Sequence, residues 1–203
     1  MTSRCSEMLP LAFKFDAVPV LVVGAGAIGL RKASQLLDAG AEVTILAEAF
    51  AAPLPEGVAH VLQRRYRRGD LRGYWLVVSA TGRPEVNDAI VAEAHEEGIW
   101  LNVVDDPGRS SFYFMALHRQ GEVTVAVTTE GAAPALAQEI RSLVAERLPH
   151  NLGEVAATLR RERGEVHERG ASTENFDWRS RIRELLEADS TPSPVDVEDV
   201  GTG

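Results

Sequence analysis

The 203-residue chain holds one cysteine, Cys5, so no internal disulfide can staple it, and nothing in it suggests a structural metal site. A reducing cytoplasm is the expected setting. No run approaches the roughly 20 uninterrupted apolar residues of a membrane span. The opening stretch MTSRCSEMLPLAFKF also lacks the long apolar core of a secretion signal. Basic residues are fewer than acidic ones, 21 Lys and Arg against 30 Asp and Glu, for a net charge of −9. That argues against nucleic acid, which wants a basic face. An anionic ligand would have to be met by local devices, helix N-termini and a few arginines, against the overall field. Internal repeats are absent too. What is present is ordinary for a globular protein: 45% apolar and 25% charged residues, enough for a core.

Residues 18–23, VPVLVV, are apolar on both faces, as a central parallel strand is. GAGAIG follows at once. Then comes LRKASQLLDAG, where Ile28, Ala33, Leu36 and Leu37 give a helical stripe and Gly40 a stop. AEVTIL (41–46) predicts a second strand and VAHVLQRRY (58–66) a third, more amphipathic one near a sheet edge. YWLVVSA (74–80) and IWLNVV (99–104) predict a fourth and a fifth. PEVNDAIVAEAHEEG (84–98) reads as a helix with Pro84 in its first turn and Gly98 at its close. Strands alternating with helical patterns predict an α/β fold, a Rossmann-type doubly wound parallel sheet.

After residue 110 the pattern changes. SFYFMALHR (111–119) and EVTVAVTT (122–129), parted by Gln120-Gly121, predict a hairpin. ALAQEIRSLVAERL (135–148) puts Leu136, Ile140, Leu143 and Val144 on one helical face, and Pro149 ends it. Two further helical patterns, near 151–169 and 174–188, are rich in Arg and Glu. STPSPVDVEDVGTG (190–203) is acidic and aperiodic, which predicts a disordered tail. The expected division is 1–110 for the sheet, 111–149 for hairpin and helix, 150–189 for the remaining helices, and 190–203 for the tail.

Gly24-Ala25-Gly26-Ala27-Ile28-Gly29 lies between a predicted strand and a predicted helix, the context a dinucleotide fingerprint requires. Gly24 suits the tight turn, Gly26 the approach of a pyrophosphate, and Gly29 the packing of helix on strand. Leu46 occupies the usual place of the ribose-binding acid, and Glu48 stands two residues on, either a ribose ligand or a solvated loop acid. No Arg or Lys follows that strand, which favours NAD over NADP. Arg31 and Lys32 are either near the phosphates or simply solvated. Ala80 and Thr81 follow the fourth strand at the edge where ligands bind, and Thr81 is equally suited to cap the next helix. Asp105 and Asp106 leave the fifth strand at that same edge. Asp106-Pro107-Gly108 reads as a turn, while Asp105, first off a rigid strand, is placed for a base. Thr128 and Thr129, before the helix near Pro134, can receive a carboxylate or phosphate, or act as a strand end and cap. Arg109 can pair with an acidic ligand or with its own turn.

Taken in order, MLPLAFKF, VLVVGAGAIGLRKASQLLDAGAEVTIL, SATGRPEVN, LNVVDDPGRSSF and VAVTTEGAAPALAQEIR resemble the precorrin-2 dehydrogenase and sirohydrochlorin ferrochelatase family, the N-terminal module of sirohaem synthase, over about residues 8–150. The resemblance implies a Rossmann domain, a dimerisation segment that interlocks with a second subunit, and a helical cap. It implies oxidation of precorrin-2, a tetrapyrrole bearing eight carboxylates, by NAD. Asp105 aligns with the family's essential aspartate and Asn102 with its preceding asparagine. The cofactor would then meet Gly24, Gly26, Ala27, Ile28, Gly29, Glu48, Ala80, Thr81, Asn102 and Val104. The substrate would meet Asn102, Arg109, Thr128, Thr129 and cap arginines such as Arg160 or Arg163. Some members also insert ferrous iron, with the same aspartate accepting pyrrole protons; no resident metal is expected. His118, His150 and His167 are scattered and read as surface histidines. Two other readings stand beside this one: a nucleotide-sensing regulatory domain, which needs no proton-transfer acid, and an unrelated small dehydrogenase.

Overall fold

A computed structural model describes residues 8–170, 172, 174 and 176–187. The expected tail at 190–203 lies outside the described residues. Two compact units meet in the sequence at Phe114 and Met115.

The first unit is built on five parallel strands in the order β3-β2-β1-β4-β5. They are β1 (Pro19–Ala25), β2 (Glu42–Phe50), β3 (His60–Leu62), β4 (Leu76–Ser79) and β5 (Trp100–Val103). This is the doubly wound fold that the alternation of patterns predicts. Val20, Leu21 and Val22 of β1 are fully buried, so alternate side chains feed two cores, one on each face. Burying each is worth roughly 1.5–3 kcal/mol. On one face α1 (Ala27–Leu37) contributes Leu30, Ala33 and Leu36; on the other α2 (Pro84–Glu97) contributes Ile90 and Ala94. Ile28, expected in the apolar stripe, is 38% exposed instead. The inward row runs from Leu30, and a residue two positions earlier is turned about 200° away from it.

Two strand limits differ from expectation. β2 runs on to Phe50 rather than ending at 46, with an irregular register between Val23↔Leu46 and Ala25↔Phe50. β3 spans only three residues of the expected 58–66. The chain from there to β4 is not helical. It is held by Glu93, a buried carboxylate of α2 that accepts hydrogen bonds from Tyr66 Oη and from the backbone N–H groups of Gly69 and Leu71. Leu71 seals the core beneath.

Beyond β5 the chain folds back along its free edge. Leu101 N–H donates to Ser111 Oγ, Ser111 N–H donates to the Leu101 carbonyl, and Val103 N–H donates to Ser110 Oγ. Phe112 and Phe114 then pack on the α1 core. Residues 111–114, expected to open the hairpin, therefore belong to the first unit.

In the second unit β6 (Ala116–Gln120) and β7 (Val123–Val127) pair antiparallel, with Gln120 opposite Val123, so Gly121 and Glu122 make the turn. Gly121 has φ +55, and a Cβ there would come 2.9 Å from Gly153 Cα, which brings α4 onto the turn. Helices α3 (Pro134–Ala145), α4 (Leu152–Glu168) and α5 (Trp178–Glu187) complete this unit, the hairpin and all three helices falling together. The Asn151 amide donates to the Leu185 carbonyl and Arg181 pairs with Glu162, fastening α5 to α4.

Candidate active site

The three fingerprint glycines have different reasons to be glycine. Gly24 has φ +103, and a Cβ there would stand 2.4 Å from the Ala80 carbonyl oxygen. A Cβ on Gly29 would stand 2.1 Å from the Gly24 carbonyl oxygen and 3.3 Å from Ala80 Cβ. Close packing of β1, α1 and the β4 end fixes those two. Gly26 has an ordinary φ of −72 and nothing within 4 Å of its Cβ position. No described residue requires a glycine there; an outside group approaching the backbone would. At the same point α1 begins without a side-chain cap and without an acid in its first turn. Its first N–H groups and the positive end of its dipole are left for an anion. Open space, exposed Ala27 and Ile28, and free donors together fit a dinucleotide pyrophosphate.

Ala80 and Thr81 border that turn. Thr81 Oγ1 donates to Asn87 Oδ1 at 2.7 Å and accepts from the Arg83 N–H at 3.2 Å, so it ties the turn before α2 to that helix. Ser79 Oγ also donates to Asn87 Oδ1, at 2.7 Å. Asn87, which ends the SATGRPEVN string and has no role in the sequence reading, thus organises the β4 edge.

Leu46, at the expected ribose position, is 1% exposed and belongs to the core. Because β2 continues to Phe50, Glu48 lies within that strand rather than in a loop, exposed but paired. Arg65 Nε lies 2.5 Å from its Oε1 and Arg83 Nη1 lies 2.8 Å from its Oε2. These guanidiniums hold its carboxyl below the usual range. No Arg or Lys follows β2 directly; the two arginines that pair with Glu48 arrive from the loops after β3 and β4. Lys32 does not project as a free cation. Its ammonium sits 3.7 Å from the centre of the Phe114 ring, and burial, reinforced by Arg31, lowers its pKa to about 8.

The loop after β5 separates its two acids. Asp106 Oδ2 accepts from Arg109 Nε at 2.6 Å, and the Asp106 carbonyl accepts from Ser110 Oγ at 2.9 Å. Arg109 spends a second donor on Asp88, at 2.5 Å. Both pairings raise the guanidinium pKa. The arginine expected to meet a substrate carboxylate is thus a brace of its own turn. Asn102 is likewise engaged: it is buried and its amide donates to the Phe112 carbonyl. Val104 packs against the α1 core, and its N–H donates to the Ser79 carbonyl. Asp105 differs from all of these. It is exposed, its φ is +62, and its carboxylate has no partner among the described residues. A non-glycine residue in the left-handed region costs about 1–2 kcal/mol, and such strain collects where a side chain must be presented. The braced turn holds a bare carboxylate beyond the same sheet edge as the fingerprint.

Thr128 and Thr129 belong to the second unit. Thr128 Oγ1 accepts from the Glu130 N–H and Thr129 Oγ1 from the Ala133 N–H, so both hydroxyls serve the turn before α3. Arg160 pairs with Glu122, while Arg163 is exposed with no partner among the described residues.

Residues 11–116 match the family model described as "Putative NAD(P)-binding". The chain belongs to this NAD(P)-binding family. Siroheme synthase 1 of Aeromonas salmonicida (strain A449) is 41% identical over 170 residues, 82% of this chain and 36% of that protein. Siroheme synthase of Tolumonas auensis (strain DSM 9187 / NBRC 110442 / TA 4) is 38% identical over 182 residues, 89% of this chain and again 36% of the relative. The NAD(P)-binding chain thus spans about a third of the length of these curated relatives. The solved structure of SirC, a precorrin-2 dehydrogenase, shares its fold, with a TM-score of 0.69 at 23% identity over 91% of this chain and 90% of that one.

Proposed function

We propose that this chain is a precorrin-2 dehydrogenase, oxidising precorrin-2 to sirohydrochlorin with NAD in the cytoplasm. The free carboxylate of Asp105, held off a strand end at the edge where the fingerprint opens, carries the proposal. The siroheme synthase relatives supply the substrate class.

In this reading the α1 N-terminus and Gly26 receive the pyrophosphate, and Glu48 receives the ribose hydroxyls. When bound, NAD supplies the hydride acceptor. Each oxidation removes one hydride and one proton from the macrocycle, and the proton goes to a carboxylate oxygen of Asp105. From there the exposed side chain passes it to water. Arg109, Asp106 and Asp88 keep the turn rigid so that the carboxylate is presented in one geometry.

The active form is a homodimer built on the second unit. α3 turns Ala137 inward but leaves Leu136 and Leu143, seven residues apart on one face, 52% and 42% exposed. Leu117 of β6 is exposed as well. Three buried polar atoms of this unit, Gln120 Oε1, Arg141 Nε and Asn151 Oδ1, have no hydrogen-bond partner among the described residues. A second copy would cover the leucines.

The test is to mix purified protein with precorrin-2 and NAD and follow both NADH absorbance and the tetrapyrrole spectrum. Stoichiometric NADH with sirohydrochlorin is expected. Binding of NAD without turnover would leave a nucleotide sensor, and turnover of some other substrate an unrelated dehydrogenase. A later addition of ferrous or cobaltous ion reads any metal insertion.

A further inference from the structure

We propose that Asp88 is a stand-in for a substrate carboxylate, which Arg109 releases in exchange for a carboxylate of precorrin-2 while keeping its hold on Asp106. The inference rests on the precorrin-2 reading and gives that substrate an anchor beside Asp105.

The two bonds of Arg109 differ in kind. Nε donates to Asp106 Oδ2 inside the turn, and both side chains there are about a third exposed. Nη1 donates to Asp88 Oδ1, whose side chain is 69% exposed. An ion pair so open to water adds little stability, because water solvates the separated partners nearly as well. Losing it therefore leaves the Asp106 brace in place. Asp88 does not owe its position to Arg109. It belongs to α2, and the residue before it, Asn87, receives the Ser79 and Thr81 hydroxyls on Oδ1, which ties the helix to the end of β4. A released Asp88 carboxylate stays where it is, hydrated.

The guanidinium is suited to the exchange. Its remaining N–H groups meet no acceptor among the described residues, so an incoming carboxylate can be held before the bond to Asp88 breaks. Its planar fork matches a carboxylate, and it stays charged throughout, so no proton moves. Position favours a ligand of this reaction. The turn that Arg109 closes follows directly on Asp105, whose carboxylate is free. A carboxylate anchored on Arg109 thus holds the macrocycle beside the group that takes its proton. Charge sets the barrier to entry. The carboxylates of Asp88, Asp105 and Asp106 oppose one guanidinium, so the cluster is negative before the ligand arrives and repels a polycarboxylate. Asp88 is therefore a brake on substrate binding, and Arg109 its anchor.

Steady-state oxidation of precorrin-2 by the full chain at saturating NAD, with a parallel titration by sirohydrochlorin, tests this. Asp88→Asn keeps the side-chain shape and removes its charge. It should lower KM for precorrin-2 and Kd for sirohydrochlorin by about threefold or more. Arg109→Gln should raise both by about tenfold, the scale of one charge-assisted hydrogen bond. Arg109→Lys, which keeps the charge but not the fork, should raise them less, and it serves where the glutamine variant folds poorly. The opposite signs decide the matter, since a pair that only stiffened the turn would lose kcat in both variants and gain affinity in neither. Shifts of KM and Kd in the same direction for Asp88→Asn and the Arg109 variants, or no shift at all, would overturn the exchange alone. An intact chain that neither oxidises precorrin-2 nor binds sirohydrochlorin would overturn the functional reading and the exchange with it.

Discussion

The two units use their apolar residues differently. The first buries whole strands: Val20, Leu21, Val22, Val77 and Val78 are fully enclosed, with helices and loops covering both faces of the sheet. The second, over its described residues, buries only Ala116, Ala137 and Val155 among apolar side chains and exposes Leu117, Leu136, Leu143, Phe176 and Ile182. Its helices are tied by ion pairs and single hydrogen bonds rather than by a filled core. A self-sufficient sheet can hold a strained residue such as Asp105 in place. A unit with an unfinished surface gains stability only from whatever covers it.

The largest expected effect breaks the first unit at its tightest contact. Gly29→Ala puts a Cβ 2.1 Å from a carbonyl oxygen and should cost about 4 kcal/mol or more, seen as loss of cooperative melting. Gly26→Ala meets nothing within 4 Å. It should leave the melting temperature unchanged and weaken NAD binding by about tenfold or more, since a methyl group then blocks the pyrophosphate. Equal melting of the two variants would erase the distinction between packing and ligand glycines.

Next comes the second unit. Leu136→Glu with Leu143→Glu should convert the proposed dimer into monomers on sedimentation while the first unit melts as before, because both leucines are already exposed in one chain. A pair that stays dimeric would place the interface elsewhere.

The smallest effect sits on the first unit's own margin. Lys32 has a pKa of about 8 in the folded chain against an ordinary 10.5, so the unfolded chain binds more protons between those values. Stability attributable to this residue should therefore rise as pH climbs from about 8 toward 10.5. Lys32→Met should flatten that rise and raise the melting temperature at neutral pH; a rise of the same size in the variant would assign it to other groups.

Much of the first unit is legible in sequence because central strands such as β1 and β4 are buried on both faces and read as apolar runs, whereas exposed β3 at the sheet edge carries a weaker signal and spans only three of the nine expected residues. Local spacing fails where a partner comes from another loop. Glu48 looks solvated until the β3 and β4 loops bring Arg65 and Arg83 to it. For Arg109 the sequence offers an acidic ligand or its own turn, but not Asp88, 21 residues earlier, which folds beside it. Ile28 shows the other limit, since an apolar residue in the first turn of a helix need not share the face of those after it. The neighbouring carboxylates are the instructive case: sequence proposes a division of labour between Asp105 and Asp106, and the structure ties down only Asp106.

Asp105→Asn is the most direct test, because asparagine tolerates the left-handed backbone at φ +62 and removes only the proton acceptor. In single-turnover mixing with precorrin-2 and NAD, the variant should bind NAD as tightly as the intact chain and form NADH at least about a hundredfold more slowly, the low end of the range for a lost general base. NADH formed at the unaltered rate would contradict the account.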